Sequence, residues 1–409
     1  VVMQGFEKVL IIGKVWPEPK SSAAGIRMMQ LIDFFQKEGT EIVFASTANE
    51  SDFQEKLTIQ AVTIQLNSDS FDDFILELKP NAVIFDRFMT EEQFGWRVME
   101  KCPDAIRILN SEDLHCLRFA RQESIKIDGT LNHVELFNEK AFREVASIYR
   151  CDISLMVSDR EIDLLTSEFG VPKYKLYYLP LCAENKRLNV LPFSEREDYV
   201  FIGNFLHEPN LDALRFLKTD IWPLIRAKKP DAILNVYGAY PSLKVTYLHN
   251  AKEGFLVHGR AEDALEVIGK ASVCLVPVRF GAGIKGKILD AMQVGTPVVT
   301  TSIGAEAMSI NNKFNGRIAD DVQNFANAAV ELSQNEVEWK RAQQTGFEII
   351  STKFLKETYY PLFKNDLEDL ILQIQTLRKR DFTSLLLQQQ SVLSTKYMSK
   401  WIEAKNKKN

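Results

Sequence analysis

The chain has 409 residues, 45% of them hydrophobic and 26% charged, with a formal net charge of −5. That length exceeds one ordinary hydrophobic core and predicts two domains, while the acidic balance excludes a general nucleic-acid surface. The longest apolar runs, Ala82–Phe85 and Ala271–Val278, are far short of a membrane span, and the opening Val1–Phe6 does not have the pattern of a secretory signal.

In chain order, the first half alternates strands with helices. Lys8–Gly13 (KVLIIG) reads as a strand buried on both faces, Gly25–Lys37 as a helix and Glu41–Ser46 as the next strand. A helix over Phe71–Leu78 stops at Lys79-Pro80, and strands follow at Ala82–Phe85, Ile106–Asn110, Ile153–Val157 and Lys175–Leu179. Alternation of this kind predicts a parallel sheet covered by helices on both faces, an α/β fold. A polar, charged stretch, Ala183–Asp198, reads as an exposed linker.

A second cycle starts near Tyr199. Strands are expected at Tyr199–Gly203, Ala232–Gly238, Phe255–His258, Val273–Pro277 and Pro297–Thr301, with helices at Pro209–Lys228, Asp263–Lys270 and Lys285–Val294. Beyond Phe354, Tyr359–Arg378 predicts an amphipathic helix with Leu362, Leu367, Leu370, Ile371 and Ile374 on one side. The Gln-rich then Lys-rich stretch Asp381–Asn409 reads as a solvated tail, with a frayed helix or a weak anionic-surface contact as the alternatives.

The five cysteines (Cys102, Cys116, Cys151, Cys182, Cys274) are scattered and never form C-x-x-C, which suits free thiols in a reducing cytosol. Five histidines without helical pair spacing give no metal site.

The most informative segment is Val273–Met308. A buried strand ends at Pro277 and enters a loop holding Gly281 and Gly283, and a helix then starts near Ile284 or Lys285. Small residues at such a turn let backbone N–H groups approach an anion, and the helix N-terminus adds partial positive charge. Lys285 and Lys287 fall in the first turn, where a cation opposes the helix dipole, so with Arg279 they point to an external anion such as a sugar-nucleotide diphosphate. Glycines and lysines alone are more readily explained by an ordinary turn and surface lysines. Asp290, further along the same helix, is placed to accept hydrogen bonds from a ribose diol.

VPVRFGAGIKGKILDAMQVGTPVVTTSIGAEAM resembles the donor-site signature of retaining GT-B glycosyltransferases, in particular glycosyltransferase family 4. YVFIGNF, AILNVYG and FLVHGRAEDALEVIGKASVCLVPVRFG resemble that family's C-terminal domain, and ISLMVSDREIDLL and GKVWPEP with SSAAGIR resemble parts of its N-terminal domain. The resemblance spans about Lys8 to Phe354. It implies two Rossmann-like domains facing a central cleft: residues 1–187 on the acceptor side, 188–355 for the donor, and 356–409 as a C-terminal helix packing back on the N-terminal domain plus a basic tail.

The family's two signature glutamates fall on Ala282 and Asp290, so the sugar-contacting one is missing and the ribose-holding one is shorter by a methylene. The Arg and Lys usual after the first strand of the donor domain are also missing from Gly203-Asn204-Phe205-Leu206-His207-Glu208, and Lys285, Lys287 and Arg279 are expected to supply their charge. The resemblance places the nucleobase near His258-Gly259-Arg260 and the donor against Gly25, Gly203, Asn204, Arg260, Gly281, Gly283, Ile284 and Glu306. Glu306 is a partial substitute for the missing glutamate. Asp113 and His115 are the acceptor-side candidates, with Lys285 as the third catalytic candidate. Asp86-Arg87, Arg118 and Arg121 are weaker candidates for that wall.

The implied reaction moves a sugar from a nucleotide diphosphate to an acceptor hydroxyl with retention. It needs no metal and no cofactor beyond the donor itself. The expected partners are a nucleotide-sugar donor and a glycan, glycolipid or protein acceptor. Nucleic acid is not expected, and the protein is expected in the cytoplasm with at most peripheral membrane contact. Two other readings use the same cleft: a sugar-nucleotide epimerase, and a non-catalytic binding or scaffolding protein. A nicotinamide dehydrogenase is disfavoured because no G-x-G-x-x-G follows Lys8–Gly13.

Overall fold

Continuous runs of β-branched and aliphatic residues bounded by turn residues can bury both faces of a strand, and the chain uses them this way twice. A computed structural model of the protein describes residues 3, 5–51, 54–184 and 190–407. Among these, the first sheet holds β1 (Lys8–Gly13), β2 (Glu41–Ser46), β3 (Gln60–Thr63), β4 (Ala82–Asp86), β5 (Ile106–Asn110), β6 (Ile153–Met156) and β7 (Leu176–Tyr178). Their order is β3-β2-β1-β4-β5-β6-β7, and every pairing is parallel. The second sheet holds β8 (Glu197–Ile202), β9 (Leu234–Tyr237), β10 (Phe255–Gly259), β11 (Ala271–Val276), β12 (Val298–Thr300) and β13 (Gly316–Ile318). Its order is β10-β9-β8-β11-β12-β13, again parallel throughout. Each sheet is sandwiched by helices, giving two Rossmann-like lobes.

Part of the expected linker, residues 185–189, lies outside the described residues. Around it the two crossings between lobes run side by side: the Ala183 N–H donates to Phe354 O at 2.7 Å, and the Lys356 N–H donates to Ala183 O at 3.1 Å. The chain then returns to the first lobe as a helix over Lys356–Arg380. It buries Phe363, Leu367, Leu370 and Ile374 against Phe34 and Phe35, while Leu362, expected on that face, points to solvent.

Two other expectations are corrected. The single helix read over Pro209–Lys228 is helical throughout but passes through a π-turn at Leu217–Ile221 between Glu208–Phe216 and Trp222–Lys228. Pro223 has no N–H to donate back into the preceding turn, which is where the α-ladder slips. The expected solvated tail is instead two helices, Phe382–Gln390 and Leu393–Asn406. They are tied to the first lobe by polar contacts that hydrophobic periodicity does not register.

Candidate functional site

In the second sheet the winding direction reverses between β8 and β11, so a crevice opens beyond the carboxyl ends of those two strands. The loop leaving β8 begins at Gly203. A Cβ there would lie 2.9 Å from Lys287 Nζ, so the lysine reaches over the loop that lacks the expected basic residues. Lys287 also donates to Asn210 Oδ1 at 2.6 Å and lies 5.2 Å from the Phe201 ring centroid.

The loop leaving β11 is held between the lobes. The Gly283 N–H donates to Glu161 Oε1 at 2.7 Å, and the Leu114 N–H donates to the same oxygen at 3.1 Å. Gly283 has a left-handed φ of 63°, and a Cβ on it would be 2.9 Å from the Asp113 Cβ. Glycine is required there on both counts. Ala282, at the position of the missing glutamate, is 7% exposed and packs into the apolar cluster of the first lobe with Leu109, Leu114 and Leu117. A glutamate at that point would bury a carboxylate among aliphatic side chains.

The helix Gly286–Gln293 then begins with Lys285 as its N-cap, so Lys285 sits before the first turn rather than inside it. No side chain caps that turn. A Cβ on Gly286 would meet the Ala23 Cβ at 2.8 Å, and Ala23 opens the helix Ala23–Lys37 of the other lobe. Two helix N-termini therefore abut across the cleft, beside two lysines. Their dipole ends repel each other, and an anion bound beside both would relieve that repulsion.

Burial shapes the charges here. It lowers the Lys285 ammonium to about 8 against the attraction of Glu306, and it lowers Lys287 to about 8. Burial also raises Asp290 to about 7 despite Lys287, and raises Glu161 to about 8 with help from the charge of Asp113. Glu161 Oε2 is buried and unpartnered. Asp113 moves the other way despite its burial: Arg118, with His115 and His207, holds it well below the usual carboxylate range.

Several of the expected residues are already engaged. Arg279 forms a bidentate pair with Asp212 and lies over Phe216, so its charge is largely committed within its own lobe. Glu306 accepts two hydrogen bonds from Arg121, at 2.8 and 2.7 Å, and Arg121 also donates to Gly281 O at 2.8 Å, which joins the lobes beside the glycine loop. The Gly25 N–H is taken by the Ser22 hydroxyl at 3.0 Å as a helix cap. The Asn204 side chain accepts from the Leu206 N–H and braces its own loop. Ile284 packs against the core of the second lobe.

Lys285 folds back onto Gly283 O at 2.9 Å. His115 is engaged within the first lobe, with Nδ1 3.1 Å from Asp113 O and its ring edge-on to Phe88. Arg260 is exposed at the end of β10. Its charge reaches Glu18 of the other lobe, which also accepts from the Tyr240 hydroxyl at 2.8 Å.

The structure adds residues that the sequence did not single out. Glu161 is one: an acid in the first turn of a helix is ordinary, and nothing local marks it as a bridge between lobes. Lys14, directly after β1, is another; burial and the nearby Arg87 lower its pKa. Arg87 (φ 70°) and Glu112 (φ 64°) both hold left-handed backbone beside the cleft, a strain that side-chain-bearing residues keep where the surrounding structure imposes it. Glu112 is raised to about 8 by burial and by Asp86. Next to this wall lies a cavity of about 500 Å³ lined by Gly13, Lys14, Met89, Thr90 and Arg143, with Thr395 from the last helix. Among the described residues, no group of three or more His, Cys, Asp or Glu side chains is placed to hold a metal ion.

Residues 196–335, most of the second lobe, match the family model described as Glycosyl transferases group 1. That lobe is similar to the glycosyl transferases group 1 family. Solved structures agree over both lobes. Sucrose-phosphate synthase from Thermosynechococcus elongatus superposes with a TM-score of 0.70 at 14% identity, covering 90% of this chain and 99% of that one. HepE of Anabaena, solved with UDP and glucose, gives 0.65 at 12% identity, covering 88% and 98%. A glycosyltransferase from Rickettsia africae gives 0.64 at 12%, covering 90% and 98%. The two-lobed architecture is the GT-B fold. A curated relative, a 44.6 kDa protein in the cps region of Klebsiella pneumoniae, is 26% identical over 175 residues, or 41% of this chain. The match spans 45% of that relative, less than half its length.

Proposed function

We propose that the protein is a glycosyltransferase that moves a sugar from a nucleotide-diphosphate donor to an acceptor hydroxyl, with retention and without a metal. The observation that carries this reading is the meeting of two helix N-termini, at Ala23 and Gly286, beside Lys285 and Lys287. Such a place suits a pyrophosphate, whose negative charge grows as the sugar departs. Relatives of the same fold that were solved with UDP support a nucleotide donor.

In this reading Lys287 and the amides of the first turn of Gly286–Gln293 take the diphosphate, and Asp290, once ionised, accepts from the ribose. The leaving phosphate oxygen then serves as base toward the acceptor hydroxyl on the same face, which retains the anomeric configuration. Ala282 cannot make the sugar contact of a signature glutamate. Glu306, held by Arg121 near Lys285, is the carboxylate best placed to do so. Asp113 and the strained Arg87–Glu112 wall face the acceptor. Contact of the lobes around the glycine loop excludes water and protects the donor from hydrolysis.

The test is turnover of a panel of nucleotide sugars with candidate acceptors, with the anomeric configuration of the product read by proton NMR and a parallel reaction run in chelator. Retained configuration at an undiminished rate in chelator is the expected result. Isomerised donor in the absence of acceptor would point instead to an epimerase, and donor binding without turnover to a binding protein.

A further inference from the structure

The last two helices are packed inside out. Along Phe382–Gln390 and Leu393–Asn406 the buried positions are Ser384 and Ser399, at 3% and 4% exposure, whereas Phe382 is 73% and Trp401 60% exposed. Leu385, Leu386, Leu393, Tyr397 and Met398 are exposed with them. In an ordinary surface helix the apolar stripe faces the core. Here the inward face is polar: Arg97 donates to Ser399 at 3.0 Å and to Glu403, Arg150 donates to Ser391 at 2.7 Å, and Gln388 donates to Arg150 O. Both helices rest on neighbouring helices of the first lobe, Phe88–Lys101 and Glu139–Arg150, so their apolar sides face away from the same layer.

The charge pattern selects what covers this face. Residues 378–407 carry seven Lys and Arg against two acids, in a chain whose net charge is −5. Both acids are turned inward, Asp381 to Lys175 and Glu403 to Arg97. Lys379, Arg380, Lys400 and Lys405 are exposed. Among the described residues no helix is long and apolar enough to cross a membrane. A Trp- and Tyr-bearing apolar stripe flanked by lysines matches a helix lying in the headgroup region of a bilayer. A second copy of the chain fits less well, because a two-fold contact would set the same lysines against each other.

We propose that the helix pair 382–406 docks on an anionic phospholipid surface. The test is flotation of the full chain with vesicles of phosphatidylcholine alone, or with about a third phosphatidylglycerol. Capture is expected on the anionic vesicles and should fall as salt rises. The double variant Phe382→Ser, Trp401→Ser should lower it about tenfold or more, with the far-UV circular dichroism and any nucleotide-sugar-induced thermal shift unchanged. Those readouts do not depend on the transferase reading. Failure to float with anionic vesicles, or equal flotation of the double variant, would overturn the proposal. So would loss of a concentration-dependent dimer in the variant without loss of vesicle binding.

Discussion

Replacing Lys287 by Met should move stability and donor affinity in opposite directions. The lysine is half-buried over Gly203, with Asn210 Oδ1 as its close partner, and burial has lowered its pKa from 10.5 to about 8. A lowered lysine pKa means that the folded state disfavours the charged form. That penalty is fully present below pH 8 and is relieved as pH rises from 8 toward 10.5. Discounted for solvent reaching the cleft and for the lost Asn210 contact, removing the ammonium should stabilise the empty protein by about 1 kcal/mol at pH 7. The gain should vanish near the unfolded pKa.

The same substitution removes a charge-assisted contact to the diphosphate, worth about 1.5–3 kcal/mol, or roughly a 10- to 150-fold weaker donor Kd. Urea midpoints at pH 7 and above pH 10, and calorimetric titration with a nucleotide sugar, read both effects. A variant destabilised when empty, with unchanged donor affinity, would refute the reasoning and make Lys287 a structural residue.

Three further outcomes are expected. Donor affinity should rise as Asp290 ionises near pH 7 and fall above pH 8 as Lys285 and Lys287 lose their protons, so a pH series of Kd values should peak between these limits, and Asp290→Asn should erase the acid-side rise. Glu161 has a folded pKa of about 8, above its unfolded value, so the protein loses stability as pH climbs from the ordinary carboxylate range to 8. Glu161→Gln keeps an acceptor for the Leu114 and Gly283 N–H groups and should be more stable than the parent at pH 8, with little difference at pH 4–5, as denaturant midpoints will show. Breaking the bridge between lobes with Arg121→Ala or Glu306→Gln should widen the cleft, seen as a larger radius of gyration in small-angle scattering, and a double-mutant cycle on unfolding should give a coupling of about 1 kcal/mol.

The fold was legible because both sheets are built from strands whose apolar runs cannot be satisfied on one face, and their punctuation by glycine and proline placed β1, β2, β4, β5 and β11 closely. The glycine loop after β11 was legible for a related reason: Gly281, Gly283 and two lysines at a strand-to-helix turn state a local electrostatic problem that sequence alone exposes. Ala282 was visible as a departure, but only its packing against Leu114 and Leu117 explains it. Glu161 was hidden, and Arg121 was visible only as a weak acceptor-wall candidate, because their roles arise from contacts between lobes more than a hundred residues apart, which no local pattern records. Lys14 escaped because only the pairing of β1 with β4 brings Asp86 and Arg87 to it. The final helices escaped for the opposite reason: buried Arg97 and Arg150 hold them by serine and glutamate contacts, so the periodicity that normally reveals a docked helix is reversed.

The central claim is that the two abutting helix N-termini, with Lys285 and Lys287, receive a pyrophosphate. Thermal unfolding with UDP-, GDP- and ADP-sugars, repeated on the Lys285→Ala, Lys287→Ala double variant, tests it most directly. One nucleotide sugar at about a hundred times its Kd should stabilise the parent protein by about 2.7 kcal/mol and leave the double variant nearly unmoved. No shift with any nucleotide sugar, or an equal shift in both proteins, would contradict the account.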